Sequence, residues 1–237
     1  MINRIKKLWA KRSSDSWIKY LKNQGMKIGN GTAIIGNPFS VLFDTTRPWL
    51  TEIGENVIIA HGVTILTHGY DWSVLKAVYA DINGSAGKVK IGNNCFIGMN
   101  TTILKGTVIG DNVIVGAGSV LTGKEYPPNC VIAGNPAKVI CSLEEYHEKR
   151  QKAQLNEAKE LVTEYYVTYG KTPEKSVLSE FFWLFEKREK INEPSFISQM
   201  HNMNNFEKSM DMFLSTEPMF NGYDEFIEYC LKDNKAE

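Results

Sequence analysis

The side chains able to trade a proton near neutral pH are few: His61, His68, His147 and His201 are the only imidazoles in 237 residues. An imidazole positioned against a hydroxyl can remove its proton during attack, because its basicity lies near physiological pH. The second ring nitrogen then needs an acceptor to hold the tautomer. For His68 the nearest carboxylate in sequence is Asp71. Asp44 and Glu52 could reach it only if the chain turns back on itself, and a backbone carbonyl would serve equally. No serine or cysteine sits beside a base in a way that marks a nucleophile. Cys95, Cys130, Cys141 and Cys230 lack CxxC or any other metal spacing, so no metal is expected.

What could bring distant residues to one place is a repeat. From Ile91 to Leu121 an aliphatic residue falls on every sixth position: Ile91, Ile97, Ile103, Ile109, Val115, Leu121. Four residues after each of the first five comes a small or β-branched side chain: Cys95, Thr101, Thr107, Val113, Ser119. A helix repeats at 3.6 and a strand at two, so neither accounts for a period of six. A chain that turns a corner every six residues does. It closes a triangular coil of about 18 residues whose aliphatic positions stack inside, each coil pairing with the next through its backbone. Cys95 occupies a small-residue slot and so reads as a buried free thiol.

The register begins earlier, at Ile28 and Ile34, and holds through Ile53, Ile59 and Ile65. Gly69 to Lys88 carries no repeat. This stretch is an excursion with an apolar body (Tyr70, Trp72, Leu75, Val78, Tyr79) and a flexible end, Asn83-Gly84-Ser85-Ala86-Gly87. Long departures from a rigid scaffold are usually functional. His68 stands where the coil gives way to the excursion, whereas His61 lies inside a complete hexad, facing outward.

Two prolines, Pro127 and Pro128, are expected to end the ladder. Beyond Ile140 the pattern turns helical until Gly170. Ser179 to Lys187, around Phe181-Phe182-Trp183-Leu184-Phe185, is an apolar patch of helical length, 192–205 reads as polar and irregular, and 206–214 and 223–231 as short amphipathic helices. The expected division is an N-terminal helical cap at 1–25, a coil at 26–140 and a helical extension at 141–237. An open coil end must be covered, a role that suits the basic amphipathic start of the chain and also the tail. Twenty-seven basic residues balance 27 acidic ones, so no global field draws nucleic acid. No apolar run is long enough to span a bilayer and the first residues lack a signal core, which points to a cytoplasmic protein.

The hexads, the excursion after a histidine and the terminal Ala133-Gly134-Asn135-Pro136-Ala137-Lys138 resemble the hexapeptide-repeat acyltransferases, whose fold is a left-handed parallel β-helix. The resemblance runs from about Ile28 to Ile140, and the hand of the coil is implied by it alone, since parallel crossovers otherwise favour the right hand. It implies a mainly β protein of about five coils. The segment from Thr67 to Lys76 looks most like the branch that modifies capsular and O-antigen polysaccharides, with the maltose and xenobiotic acetyltransferases as relatives.

The resemblance implies transfer of acetyl from acetyl-CoA straight to an alcohol in a ternary complex, with His68 as general base and a homotrimer carrying sites between subunits. Met99 and Ala117 would meet the pantetheine arm through backbone groups, followed by Thr122 and Lys124, and Lys138 would face the nucleotide phosphates. Gly123 separates Thr122 from Lys124 where several relatives have Thr-Lys consecutively. Asp71 joins His68 as the catalytic pair, and Asp44, Tyr70, Trp72 and Phe96 are the candidate contacts of a saccharide acceptor. A small-molecule acceptor (a xenobiotic, a free sugar or a nucleotide-linked sugar amine) is the alternative, and a non-catalytic scaffold the third reading. A zinc lyase on the same coil would need three histidines where the coil offers two.

Overall fold

The computed structural model describes residues 2–189 and 191–232. Two helices come first, α1 (Ile2–Ala10) and α2 (Ser14–Asn23). The chain then winds through short strands, three to a circuit. They are β1 (Lys27–Ile28), β2 (Ala33–Ile34) and β3 (Leu42–Phe43), then β4 (Thr51–Ile53), β5 (Ile58–Ile59) and β6 (Thr64–Ile65). After a helical excursion, α3 (Trp72–Tyr79), come β7 (Val89–Ile91), β8 (Phe96–Ile97) and β9 (Thr102–Ile103). Next follow β10 (Val108–Ile109), β11 (Val113–Val115) and β12 (Val120–Leu121), then β13 (Glu125–Tyr126) and β14 (Cys130–Gly134). Three parallel sheets result, in the orders β1-β4-β7-β10-β13, β2-β5-β8-β11-β14 and β3-β6-β9-β12.

The hexad residues are the register partners of these sheets. Ile28, Ile53, Ile91, Ile109 and Tyr126 form one column. Ile34, Ile59, Ile97, Val115 and Ile132 form the second, and Phe43, Ile65, Ile103 and Leu121 the third. Ile97, Ile103 and Leu121 are wholly buried, as are Cys95, Thr101, Thr107, Val113 and Ser119. The buried hydroxyls spend their protons on the main chain, Thr107 Oγ1 on Leu104 O (2.7 Å) and Ser119 Oγ on Gly116 O (2.5 Å), which removes the cost of burying them. Burial pushes the Cys95 thiol up to about 11, so it is inert. One corner carries an asparagine ladder. Asn56, Asn94, Asn112 and Asn129 all adopt positive φ and pass side-chain hydrogen bonds from coil to coil at 3.3, 3.1 and 2.8 Å. Asparagine is the non-glycine residue that best tolerates this conformation.

The prolines do not stop the ladder. Pro128 rides a corner above Gly110, where a Cβ on the glycine would meet Pro128 N at 2.5 Å, and no ladder donor is required there. The parallel winding ends one side later. β14 turns through Asn135-Pro136 into β15 (Ala137–Ser142), which runs back antiparallel to it, so the Ala-Gly-Asn-Pro-Ala-Lys run is a hairpin turn. The N-terminal cap is two helices rather than one. α2 covers the coil end by burying Trp17, Ile18 and Leu21 in the coil's core, and Ser14 Oγ accepts the hydrogen of Ile34 N (2.8 Å).

The excursion re-enters where it leaves. Gly87 N donates to Thr67 O (2.9 Å) and Gly69 N to Ser85 O (3.2 Å), while His68 and Ala86 form an antiparallel bridge. Ile53 therefore pairs with Ile91, 38 positions on, in the same register that Ile91 keeps with Ile109. Its apolar residues are not a packed body: all but Tyr70 fold into α3, none of whose residues is buried.

Contacts divide the chain into two units, Met1–Tyr146 and His147–Glu237. Helix α4 (Leu143–Tyr169) ends at Gly170, whose φ of +65° and N–H bond to Tyr166 O make a glycine C-cap. The second unit has its own core around Phe182, Phe185, Phe196, Phe213 and Phe226. The aromatic patch supplies a short 3₁₀ turn (Phe182–Leu184) instead of an α-helix, because it is apolar on all sides and rich in poor helix formers. Residues 192–205, expected to be irregular, contain α5 (Pro194–Met200), opened by Pro194 and capped by Glu193. Helices α6 (Phe206–Ser215) and α7 (Tyr223–Leu231) follow. Among the described residues no helix is long and apolar enough to cross a membrane.

Candidate active site

Asp44 and His68 follow equivalent strands of successive coils. Register pairs Phe43 with Ile65, and Asp44 N donates to Ile65 O at 3.0 Å. The stacking that fills the core thus sets Asp44 beside Thr67 and His68. His68 Nδ1 lies 2.5 Å from Asp44 Oδ2. The same oxygen accepts from Thr67 Oγ1 (2.5 Å) and Thr67 N (3.3 Å), and Oδ1 accepts from Thr46 Oγ1 (2.6 Å) and Thr46 N (3.0 Å). Burial alone would raise the Asp44 carboxyl. The hydrogen bonds from Thr46, Thr67 and His68 outweigh it and hold the group well below the usual carboxylate range.

A carboxylate can only accept, so Asp44 accepts a hydrogen bond from Nδ1–H, which leaves the lone pair on Nε2. The ring is nearly enclosed, with 12 % of the side chain exposed. Tyr70 meets it edge-on at 5.1 Å between centroids, and Trp72 lies 6.3 Å beyond Tyr70. A half-buried imidazole with an aromatic ring at its edge can receive a hydroxyl carried on a flat, partly apolar molecule.

Asp44, a candidate acceptor contact by sequence, is 6 % exposed with both oxygens engaged by protein donors, an arrangement that orients the His68 ring. Asp71 is the residue preceding α3 and forms no hydrogen bond with His68 among the described residues. Glu52 is on another sheet and pairs with Lys88 (2.5 Å) and Lys90 (3.8 Å). Thr46 and Thr67 were absent from the sequence-derived set. A signal existed for Thr46, since Asp-Thr-Thr favours an Asx turn in which the carboxylate accepts the amide two residues on.

The other candidates are spread over the coil's corners and strands. Met99 and Ala117 are exposed at one corner on successive coils, where Met99 O accepts Gly118 N (2.7 Å) and a Cβ on Gly98 would lie 2.6 Å from Ala117 N. Thr122 follows β12, which lies in the same sheet as β6, the strand before His68. Gly123, at φ +56°, donates its N–H to Thr107 Oγ1 (3.1 Å), which turns the chain toward the exposed Lys124. Lys138 is exposed on β15, register partner of Ala133. Phe96 projects from β8 between Ile58 and Ile114 and is 37 % exposed, on a different sheet from β3 and β6, which carry Asp44 and His68 at their ends.

Residues 88–123 match the family model described as bacterial transferase hexapeptide (six repeats). Protein CapG of Staphylococcus aureus is 40% identical over 143 residues, 60% of this chain and 79% of that protein. The galactoside O-acetyltransferase of Escherichia coli (strain K12) is 35% identical over 143 residues, 57% of this chain and 65% of the relative. Among solved structures, a maltose O-acetyltransferase from Clostridium difficile 630 is 27% identical, covering 59% of this chain and 83% of its own, with a TM-score of 0.44.

Proposed function

The chain belongs to the hexapeptide-repeat acyltransferases, and from that premise we propose that it moves acetyl from acetyl-CoA to a sugar hydroxyl of a surface polysaccharide or its precursor. The observation that carries the reading is the Asp44–His68 pair at the root of the excursion, with Tyr70 and Trp72 beside it. An alcohol is a poor nucleophile until its proton leaves, and Nε2 takes that proton as the oxygen attacks the thioester carbonyl. The C–S bond breaks, the thiolate departs and the imidazolium returns the proton to sulfur. Asp44 stabilises the transient imidazolium and keeps Nε2 facing the acceptor. No covalent enzyme intermediate is required, so approximation of the two substrates supplies much of the rate.

For acetyl-CoA, the backbone at Met99 and Ala117 suits the pantetheine amides, with Thr122 next, while Lys124 and Lys138 offer cations to its phosphates on a chain of zero net charge. For the acceptor, Tyr70 and Trp72 offer faces to a pyranose ring, and Phe96 offers a third. Asp71 holds the start of α3, where it can meet an acceptor hydroxyl. The polysaccharide choice rests on the likeness of 67–76 to that branch. A free sugar is the second reading, favoured by the name of the galactoside relative. We also infer a left-handed coil, a homotrimer whose ring of heterologous contacts completes the sites, and a cytoplasmic location where acetyl-CoA is at hand and the four free thiols stay reduced.

The test is acetyl-CoA consumption with a panel of mono-, oligo- and polysaccharides. Turnover on polymer or oligomer well above that on monosaccharide supports the first reading. Equal turnover on free sugars supports the second, and no acceptor-dependent thiol release across the panel overturns both.

A further inference from the structure

The second unit contains a built pocket that the coil chemistry does not use. Its volume is about 600 Å³. His147, Gln151 and Gln154 line it from one face of α4, at spacings of four and three. Trp183, from the 3₁₀ turn, and Glu217, beyond α6, line it from across the pocket. Among the described residues the side chains of His147, Gln151, Gln154 and Glu217 form no hydrogen bond with the protein. Four planar polar groups therefore converge with their donors and acceptors unspent.

The frame of this pocket is held rigidly by Arg188. Its guanidinium donates to Trp183 O (2.7 Å), Glu186 O (2.6 Å) and Thr216 O (3.1 Å), and lies 4.4 Å over the Phe213 ring. Trp183 packs edge-on against Phe213 at 5.4 Å. Both the indole and the segment leading to Glu217 are thus set before any ligand arrives, which lowers the entropic cost of binding. Arg188 spends three of its N–H groups on carbonyls, and its positive charge faces the Glu217 carboxylate, so the cation and the carboxylate of the lining offset one another and the pocket favours no net charge.

We propose that this pocket is a second, non-catalytic saccharide site that holds a neutral hexose or N-acetylhexosamine unit of a glycan. Amide side chains both donate and accept, as sugar hydroxyls do, so adjacent hydroxyls can be paired by Gln151, Gln154 and Glu217. The indole of Trp183 offers an apolar face to the sugar's C–H groups. The exposed thioethers of Met212 and Met219 adapt to the remaining outline. The site shares no residue with the His68 chemistry, and its occupancy is read without acetyl-CoA.

The experiment uses the full chain labelled with ¹³C-methyl methionine and titrated with maltotetraose and, separately, chitotetraose. The Met212 and Met219 methyl signals shift saturably with at least one of the two. Replacing Gln151→Ala and Gln154→Ala together weakens that response at least tenfold. Alanine is the better helix former, so this variant keeps α4. Glu217→Gln, isosteric and on an exposed residue, weakens it severalfold and repeats the reading without touching the helix. If neither oligosaccharide moves the two methyls, or if both variants titrate with the wild-type midpoint, the proposal is wrong. Failure here leaves acetyl transfer by the coil untouched, and the reverse holds as well.

Discussion

The substitution Asp44→Asn keeps the shape of the side chain and replaces one oxygen with an N–H donor pair. All five groups facing Asp44 are donors in the native arrangement: two hydroxyls, two backbone amides and the His68 ring. The threonine hydroxyls can rotate and accept instead, but a backbone N–H cannot. If the amide nitrogen replaces Oδ1, it meets Thr46 N–H; if it replaces Oδ2, it meets Thr67 N–H and His68 Nδ1. One buried amide left unpaired costs about 1–3 kcal/mol, and each charged acceptor made neutral loses about 1 kcal/mol. The variant should therefore be about 2–5 kcal/mol less stable, a large part of a typical folding free energy.

The chemical consequence follows from the second orientation. An amide N–H donating to Nδ1 moves the ring proton to Nε2, and the ring can no longer accept the acceptor's hydrogen. Turnover should fall roughly 100- to 10,000-fold, the usual worth of a positioned base. Thiol release measured below the variant's melting range gives the rate, and ¹⁵N shifts of labelled histidine report the tautomer. Wild-type turnover with the proton found on Nε2 would refute the pairing, as would a large loss with the Nδ1–H tautomer unchanged. Acid stability gives a further reading. The Asp44 carboxyl sits below its ordinary value of about 3.9 in the folded protein, so its stabilisation is present above that value and is lost as pH falls through and below it. Acid unfolding of the Asn variant should consequently be shallower below about pH 4.

His68→Ala should retain acetyl-CoA binding while losing roughly 100- to 10,000-fold in rate, with the residual activity rising with pH as hydroxide replaces imidazole; His61→Ala, on an exposed corner, should lose far less, and equal small losses would place the base elsewhere. Ile109→Asp puts a carboxylate into a column that is 1 % exposed, forfeiting about 1.5–3 kcal/mol of apolar burial and several more in desolvation; a circular-dichroism melt matching wild type would refute the stacked columns. Light scattering should give three chains per particle, and a monomer with full turnover would exclude shared sites.

The columns were legible because a coil with parallel registered strands turns one sequence period into one spatial line, so Ile91 to Leu121 could be placed by counting. The asparagine ladder was not, because Asn56, Asn94, Asn112 and Asn129 look like ordinary turn residues until stacking makes them neighbours. Helix α3 escaped for a related reason. Its apolar side chains imply burial, yet Val74, Val78 and Tyr79 are all about two thirds exposed, and helicity there is local rather than imposed by a core.

The site shows the same division between what spacing carries and what contact decides. His68 was marked by position, at the point where the hexads stop. Its partner was not decided, because proximity in sequence favours Asp71, whereas proximity in a coil is set by position within the circuit. Phe43 and Ile65 are register partners, so the residue after Phe43 lies below the residues that follow Ile65. Read that way, Asp44 is the only one of the three carboxylates weighed that stacks under His68. Glu52 belongs to the sheet of β1 and β4, and Asp71 has already left the coil for the excursion. What the count could not supply was the state of Asp44. Five donors from Thr46, Thr67 and His68 turn an apparent surface acid into a buried, ionised anchor, and that conversion depends on hydroxyl placement that no spacing records.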